Sequence, residues 1–182
     1  AQELDCAVAT TPSELAQNCD FVVTMLADDA ASREVHLGRV GLYAPERPCV
    51  FIEMGTLSPA HIQELDQSKP KGGVVIDAPV SGATQAAKEA QLLVMAGCDA
   101  QQLRFVAPVL EAMSKKVICL GSLGNGAMMK LAVNSLIHGL NQTLAEALAL
   151  ASAGGIQLET AFEVIENSAA CAPMLKYRKN LY

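Results

Sequence analysis

Lys130 and Asn134 stand four residues apart, so on a helix they share one face. The run that carries them is Gly124-Asn125-Gly126-Ala127-Met128-Met129-Lys130-Leu131-Ala132-Val133-Asn134. It opens on a glycine turn and continues, rich in Leu and Ala, to about Ala153. Such a helix is expected to be largely buried, and a lysine and an asparagine facing its surroundings are costly unless they meet a polar partner. A bound substrate is one such partner. The plainer alternative is a first-turn lysine whose stem carries its charge to solvent, with the asparagine bonded to backbone. Spacing alone leaves both readings open. His138, a further four residues on, extends the face, either towards a substrate or as an ordinary core or surface histidine.

A second segment bears on the choice. Asp77-Ala78-Pro79-Val80-Ser81-Gly82 follows the apolar run Val74-Val75-Ile76, so a buried strand ends in a polar turn. In open α/β sheets the loops beyond the carboxyl ends of the strands line the ligand crevice. Ser81 in that position either meets a ligand or caps the next helix.

Taken together, D-A-P-V-S-G and the downstream G-x-G-x-x-x-K-x-x-x-N resemble the β-hydroxyacid dehydrogenase family, whose members include 3-hydroxyisobutyrate dehydrogenase and tartronate semialdehyde reductase. The resemblance extends to Thr24-Met25-Leu26-Ala27-Asp28, Gly55-Thr56-Leu57-Ser58-Pro59 and Ala145-Glu146-Ala147-Leu148, and so covers nearly the whole chain. It implies hydride transfer between a nicotinamide cofactor, NAD or NADP, and a small hydroxy acid or its semialdehyde. Lys130 matches the proposed general acid/base, and Asn134 the asparagine that orients lysine or substrate. Ser81 and Gly82 match the segment that holds the substrate carboxylate. Met25, Leu26 and Thr56 match the cofactor-side loops, although Thr56 also reads as a turn residue and Met25 as core. The lysine role suits the chemistry: reducing an aldehyde develops charge on oxygen, which an ammonium can stabilise and then neutralise.

The likeness has departures. Ala83 stands where the motif continues with a second glycine, Ala90 where a glycine precedes the next strand, Cys98 after Gly97 in place of a Gly-Gly pair, and Gly55 in place of the serine of a Ser-Thr pair. Each changes backbone freedom or adds a side chain near the pocket. The family's opening strand, its G-x-G-x-x-G turn and its cofactor-choosing strand are not among these 182 residues, and neither are its last helices. The expectation is an internal fragment of a longer enzyme. Turnover by these residues alone should be weak or absent, because the cofactor pyrophosphate would lose its main anchor.

The elements that must position these residues alternate. Thr11-Pro12-Ser13-Glu14 predicts a capping box and a short helix. Phe21 to Leu26 reads as a strand buried on both faces, Ala30 to Leu37 as a helix ending at Gly38, and Val50 to Met54 as a strand. Ser58 and Pro59 start another helix; strands follow at Val74–Asp77, Leu92–Met95 and Val117–Leu120, the last two separated by a helix over Asp99–Met113. The long helix, a Gly154-Gly155 stop, a helix over Glu159–Glu166 and a start at Pro173 complete the chain. The fold predicted is an incomplete Rossmann-type, doubly wound parallel sheet followed by a long interdomain helix and a truncated all-α domain. The boundary predicted divides residues 1–121, the latter part of the dinucleotide-binding domain, from residues 122–182.

Composition narrows the remaining classes. Hydrophobic residues make up 51% and aromatics 4%, which predicts an aliphatic core. A formal charge of −6 with no Lys/Arg run argues against nucleic acid or anionic membrane as partners. The apolar runs are too short and interrupted to span a bilayer. Cys6, Cys19, Cys49, Cys98, Cys119 and Cys171 form no C-x-x-C pair, and His36, His61 and His138 no ligand pattern, so no metal site is expected. The expected location is cytoplasmic, or mitochondrial if a targeting sequence precedes Ala1. The expected partner is the small-molecule substrate, with the full-length protein a homo-oligomer. The competing class is a non-catalytic relative used for oligomerisation or cofactor-dependent binding. Relatives of that type tend to lose the lysine that is present here.

Overall fold

The computed structural model describes residues 6–176. The first helix, α1 (Pro12–Asn18), is capped by Thr11, whose hydroxyl accepts the Glu14 N–H at 3.1 Å. Glu14 reaches back to the Thr10 N–H and hydroxyl, not to Thr11, so the predicted box closes one residue early. Strand β1 (Phe21–Thr24) leads to α2 (Asp29–Leu37), capped by the Asp28 carboxylate, which accepts the Ala31 N–H at 2.8 Å. Strand β2 (Val50–Glu53) leads to α3 (Pro59–Ser68), capped by the Ser58 hydroxyl, with proline in the first turn. Strand β3 (Val74–Asp77) completes a parallel sheet of order β1-β2-β3, with Val22 opposite Phe51 and Ile52 opposite Ile76.

The run Phe21 to Leu26 differs from expectation. The strand stops at Thr24, lies at the sheet's edge among the described residues, and leaves Val23 40% exposed. The central position belongs to β2, where Phe51 and Ile52 are wholly buried. An apolar run predicts a strand but cannot say which side of it will be covered. A groove of about 410 Å³ runs along β1, lined by Val8, Val22, Val23, Val35 and Leu42 among others.

Alternate residues of β2 and β3 feed two cores. Ile52 and Ile76 pack with Val94, Val106 and Leu110, while Phe51 and Val75 pack with Ala16, Val22, Leu42 and Leu65. Since successive strand residues point to opposite faces, the sheet is covered on both sides, as doubly wound topology requires. Strand β4 (Val80–Ser81) and helix α4 (Thr84–Lys88) follow β3; neither is signalled in the sequence, being too short for periodicity to register. Strand β5 (Leu92–Ala96), α5 (Ala100–Glu111) and β6 (Ser114–Cys119) complete this part. β5 pairs parallel with β6 but antiparallel with β4, an exception to the all-parallel expectation created by the reversal at Pro79. The Gly97 N–H donates to the Asp77 carbonyl at 2.7 Å and the Met95 N–H to the Pro79 carbonyl at 2.9 Å, joining β5 to the chain leaving β3.

Residues up to Leu131 form one compact unit and those from Ala132 another; the outermost residues of the predicted two-part division, 1–5 and 177–182, lie outside the described residues. The break falls inside α6 (Asn125–Ala153), a helix of 29 residues. In the second unit Leu144 and Leu148 of α6 pack on Ala161 and Phe162 of α7 (Leu158–Glu166), with Met174 of the short α8 (Pro173–Lys176) alongside. The expectation of a largely buried α6 does not hold: Met128, Leu136 and Leu150 are 57%, 66% and 77% exposed. A helix apolar on every side declares that it needs covering but not what covers it. No described helix is long and apolar enough to cross a membrane.

The turn after α4 is strained. The Gln91 N–H donates to the Ala86 carbonyl and the Ala90 N–H to the Ala87 carbonyl, the paired bonds of a Schellman ending. That motif needs a left-handed residue, and Ala90 takes φ 54° there without glycine's freedom. Replacing Ala90 with Gly should therefore stabilise the protein by about 1 kcal/mol. Urea unfolding checks this, and a lower midpoint in the variant would contradict it.

Candidate active site at the start of the long helix

The carboxyl end of β3 places Asp77, wholly buried, against the first turn of α6. One carboxylate oxygen, Oδ1, accepts the Gly124 N–H at 3.0 Å, and Oδ2 accepts the Ala127 N–H at 2.8 Å. The first amides of a helix have no partner within it and carry its positive dipole end, so a carboxylate there satisfies both demands. The fit depends on two glycines. A Cβ on Gly97 would collide with the Asp77 carboxylate; one on Gly126 would lie 2.8 Å from Asp77 Oδ2 and 2.5 Å from the Met95 carbonyl oxygen. Gly124 takes φ 90° to enter the helix. Burial pushes the Asp77 carboxyl up to about 6, against the downward pull of the backbone N–H groups around it.

Lys130 lies one turn beyond Gly126. It is half-buried, and its Nζ donates to the Val80 carbonyl at 2.7 Å. Burial pushes this ammonium below the ordinary lysine value. The structure thus brings Lys130 to the start of the Val80-Ser81-Gly82 segment. Ser81 does not cap α4: the cap position is Ala83, and no side chain bonds the helix there. Gly82 takes φ 140°, and a Cβ on it would lie 2.8 Å from Leu92 Cδ2. Asn134 follows one turn along α6, half-buried and in the second unit; His138 is exposed.

Met25 and Leu26 leave β1 and Thr56 follows β2, at the carboxyl ends of neighbouring parallel strands. Gly55 holds the two loops together, since a Cβ there would lie 2.8 Å from the Leu26 carbonyl oxygen. Met25 is 58% exposed and so is not a core residue; Thr56 is exposed and Leu26 half-buried. Beneath these loops lies a buried polar cluster that the sequence analysis missed. Glu53 accepts from the Thr24 hydroxyl at one oxygen and from the Ser32 hydroxyl, at 3.3 Å, at the other. His36 Nε2 lies 3.0 Å from Glu53 Oε1, and His36 Nδ1 lies 2.9 Å from the Ser32 carbonyl. The available signal was a glutamate closing the apolar run Val-Phe-Ile, a position where a charge needs partners. Among the described residues no cluster of His, Cys, Asp and Glu could hold a metal ion.

A sheet wound on both faces, with polar loops gathered at the carboxyl ends of its strands, is the arrangement of a Rossmann-type domain. Residues 1–121 match the model of the family described as the NAD binding domain of 6-phosphogluconate dehydrogenase, and the chain belongs to that family. It is 29% identical over 178 residues to glyoxylate/succinic semialdehyde reductase 1 of Arabidopsis thaliana, covering 96% of this chain and 61% of that protein. It is 31% identical over 158 residues to the cytokine-like nuclear factor N-PAC of Homo sapiens, covering 85% of this chain and 28% of that one. Among solved structures, the 3-hydroxyisobutyrate dehydrogenase of Mycobacterium tuberculosis with L-serine superposes with a TM-score of 0.77 at 31% identity, over 90% of this chain and 56% of that one. The chain therefore spans less than two thirds of these relatives' lengths.

Two measurements check the geometry of the notch. Gly126→Ala should destabilise the protein by roughly 2 kcal/mol or more, because backbone and carboxylate rather than flexible side chains oppose the new methyl; unchanged chemical denaturation would rule out the close approach. Asp77 is the second. Its folded value of about 6 exceeds the ordinary 3.8, so the folded state holds the proton more tightly. Its contribution to stability is fully present below about pH 4 and declines as pH rises to about 6. The stability of the wild type minus that of Asp77→Asn should fall across this window and level off above it.

Proposed function

We propose that the protein to which this chain belongs is an NAD(P)-dependent oxidoreductase acting on a small 3-hydroxy acid or its semialdehyde, with Lys130 as general acid/base. The observation that carries this reading is the half-buried Lys130 ammonium, fixed 2.7 Å from the Val80 carbonyl at the edge of the Ser81-Gly82 turn. The likeness to a semialdehyde reductase and to a 3-hydroxyisobutyrate dehydrogenase supports the substrate class.

The residues present fit the nicotinamide end of a dinucleotide: two glycine-joined loops at neighbouring strand ends, with Met25, Leu26 and Thr56 accessible on them. NAD or NADP bound there would give hydride to, or take it from, the substrate carbon. The chain's own residues do the rest. The Ser81 hydroxyl and the Gly82 N–H are natural donors to a substrate carboxylate. During reduction Lys130 Nζ passes its proton to the oxygen that becomes the hydroxyl; during oxidation the neutral amine takes that proton back. Asn134, a turn along the same helix, is assigned the orienting role by the family likeness. The same reading includes self-association of the full-length protein and a cytoplasmic or mitochondrial location.

A binding module is the second reading, favoured by similarity to N-PAC at the same level of identity. Similarity alone does not separate the two. Retention of Lys130, half-buried beside the Ser81-Gly82 turn, supports the enzyme over the binding module.

The deciding experiment is a nicotinamide assay on the full-length parent with both cofactors and 3-hydroxyisobutyrate, glycerate, 4-hydroxybutyrate and succinic semialdehyde. Lys130→Ala should lower kcat/KM about 10²- to 10⁴-fold. Turnover indifferent to Lys130 would remove its proton-transfer role, and cofactor binding without turnover would favour the binding module. Oxidation requires the neutral amine, so its rate should rise with pH through an apparent value below the ordinary 10.5, lowered by burial. A rate that falls as pH rises through the same region would contradict this.

A further inference from the structure

The Lys130 site contains a residue whose role the sequence did not assign. Asp77 and Lys130 are linked in a closed circuit. From Asp77 the chain runs through Ala78, wholly buried, and Pro79, whose carbonyl accepts the Met95 N–H at 2.9 Å, to Val80, whose carbonyl accepts Lys130 Nζ. From Lys130 the helix runs back less than one turn to Ala127, whose N–H returns to Asp77 Oδ2, while the Gly124 N–H binds Oδ1.

We propose that Asp77 is the positioning residue of this site: its two oxygens fix the first turn of α6 and thereby set where the Lys130 ammonium stands against Val80 and Ser81. The proposal rests on the reading of Lys130 as the acid/base group. A helix rises about 1.5 Å per residue and is stiff over one turn, so two fixed amides determine both the height and the roll of Lys130. Asparagine could not substitute. Its one acceptor oxygen would serve one amide, and its NH₂ would face the other donor. Nor could a longer acid, because Gly97 and Gly126 close the notch around the aspartate. Asp77 acts through the helix, since both of its oxygens are engaged by backbone amides of the Gly124–Ala127 turn. Asp77, Val80, Gly124, Ala127 and Lys130 all lie within the first compact unit.

The experiment reads Lys130 directly and needs no substrate. Full-length wild type and Asp77→Asn are acylated with acetic anhydride across pH, and modification of Lys130 and of the exposed Lys71 is followed by mass spectrometry. Once its position is lost, Lys130 becomes solvated, so its half-reactive pH should move upward in the variant, while the modification of Lys71 is unchanged. An unmoved Lys130 profile in folded Asp77→Asn overturns the proposal. Where the variant does not fold, the wild type decides. The Gly124 and Ala127 amide resonances and the Lys130 side-chain carbons should shift with the midpoint of the Asp77 carboxyl, and signals that ignore that midpoint overturn the proposal. The kinetics of Lys130→Ala test the catalytic reading separately, so either can fail without the other.

Discussion

The carboxylate of Asp77 at the amino end of α6 is the contact on which the site depends. It joins the last residue of β3 to a helix that begins 48 residues later in sequence. A buried carboxylate is costly by itself, and two N–H groups at a helix terminus are costly without acceptors; each offsets part of the other's cost. The geometry leaves little latitude. Gly97, Gly126 and Gly124 are required by close approach or by positive φ, and all three surround this one side chain. Where so many glycines converge on one carboxylate, backbone shape has been fitted around a single charge.

The remainder of the first unit supplies a stiff base for that contact. Its core is aliphatic, with residues of β2 and β3 alternating between two packed faces. Dense packing of this kind transmits small displacements, so a strand end fixed in the sheet is a sound origin for the helix that carries Lys130. The buried Glu53 cluster does for the Met25 and Thr56 loops what Asp77 does for α6. It ties the ends of β1 and β2 to α2 through Thr24, Ser32 and His36. Removing one member of such a group strands the others, which makes it a device of rigidity more than of net stability.

Most of the fold was legible in the sequence because its helices begin with unambiguous chemistry. Thr11 and Ser58 cap helices as their types predict, and the apolar runs have the lengths of strands; Asp28 and Asp99 also cap, although the sequence marked only the helices that follow them. What escaped was set by contacts distant in sequence. β4 is two residues held only by pairing with β5, and no local pattern announces that. The edge position of β1 depends on its neighbours, not on Phe21-Val22-Val23-Thr24 itself. Lys130 and Ser81 were legible as candidates from motif order, and Met25 and Thr56 only through the family resemblance. Asp77 was visible as the first letter of a motif, yet its partners lie 47 and 50 residues away, beyond any spacing rule. Ala90 marks the opposite case: the departure from glycine was plain in the sequence, and the left-handed φ shows its consequence.

The acid/base role proposed for position 130 suits a lysine. A guanidinium would stay charged at any accessible pH and could not accept a proton back, whereas an ammonium is a compact donor whose affinity for its proton responds to burial. It also has three hydrogens to give. One is committed to the Val80 carbonyl, which fixes the direction of the group without neutralising it. Two remain for whatever oxygen is brought beside Ser81 and Gly82. A carbonyl anchor is suited to this, because a carboxylate in its place would hold the proton on the lysine and oppose the transfer. Asp77 is engaged with backbone amides and not with Lys130, which is what the proposed proton transfer by a lysine held in position requires.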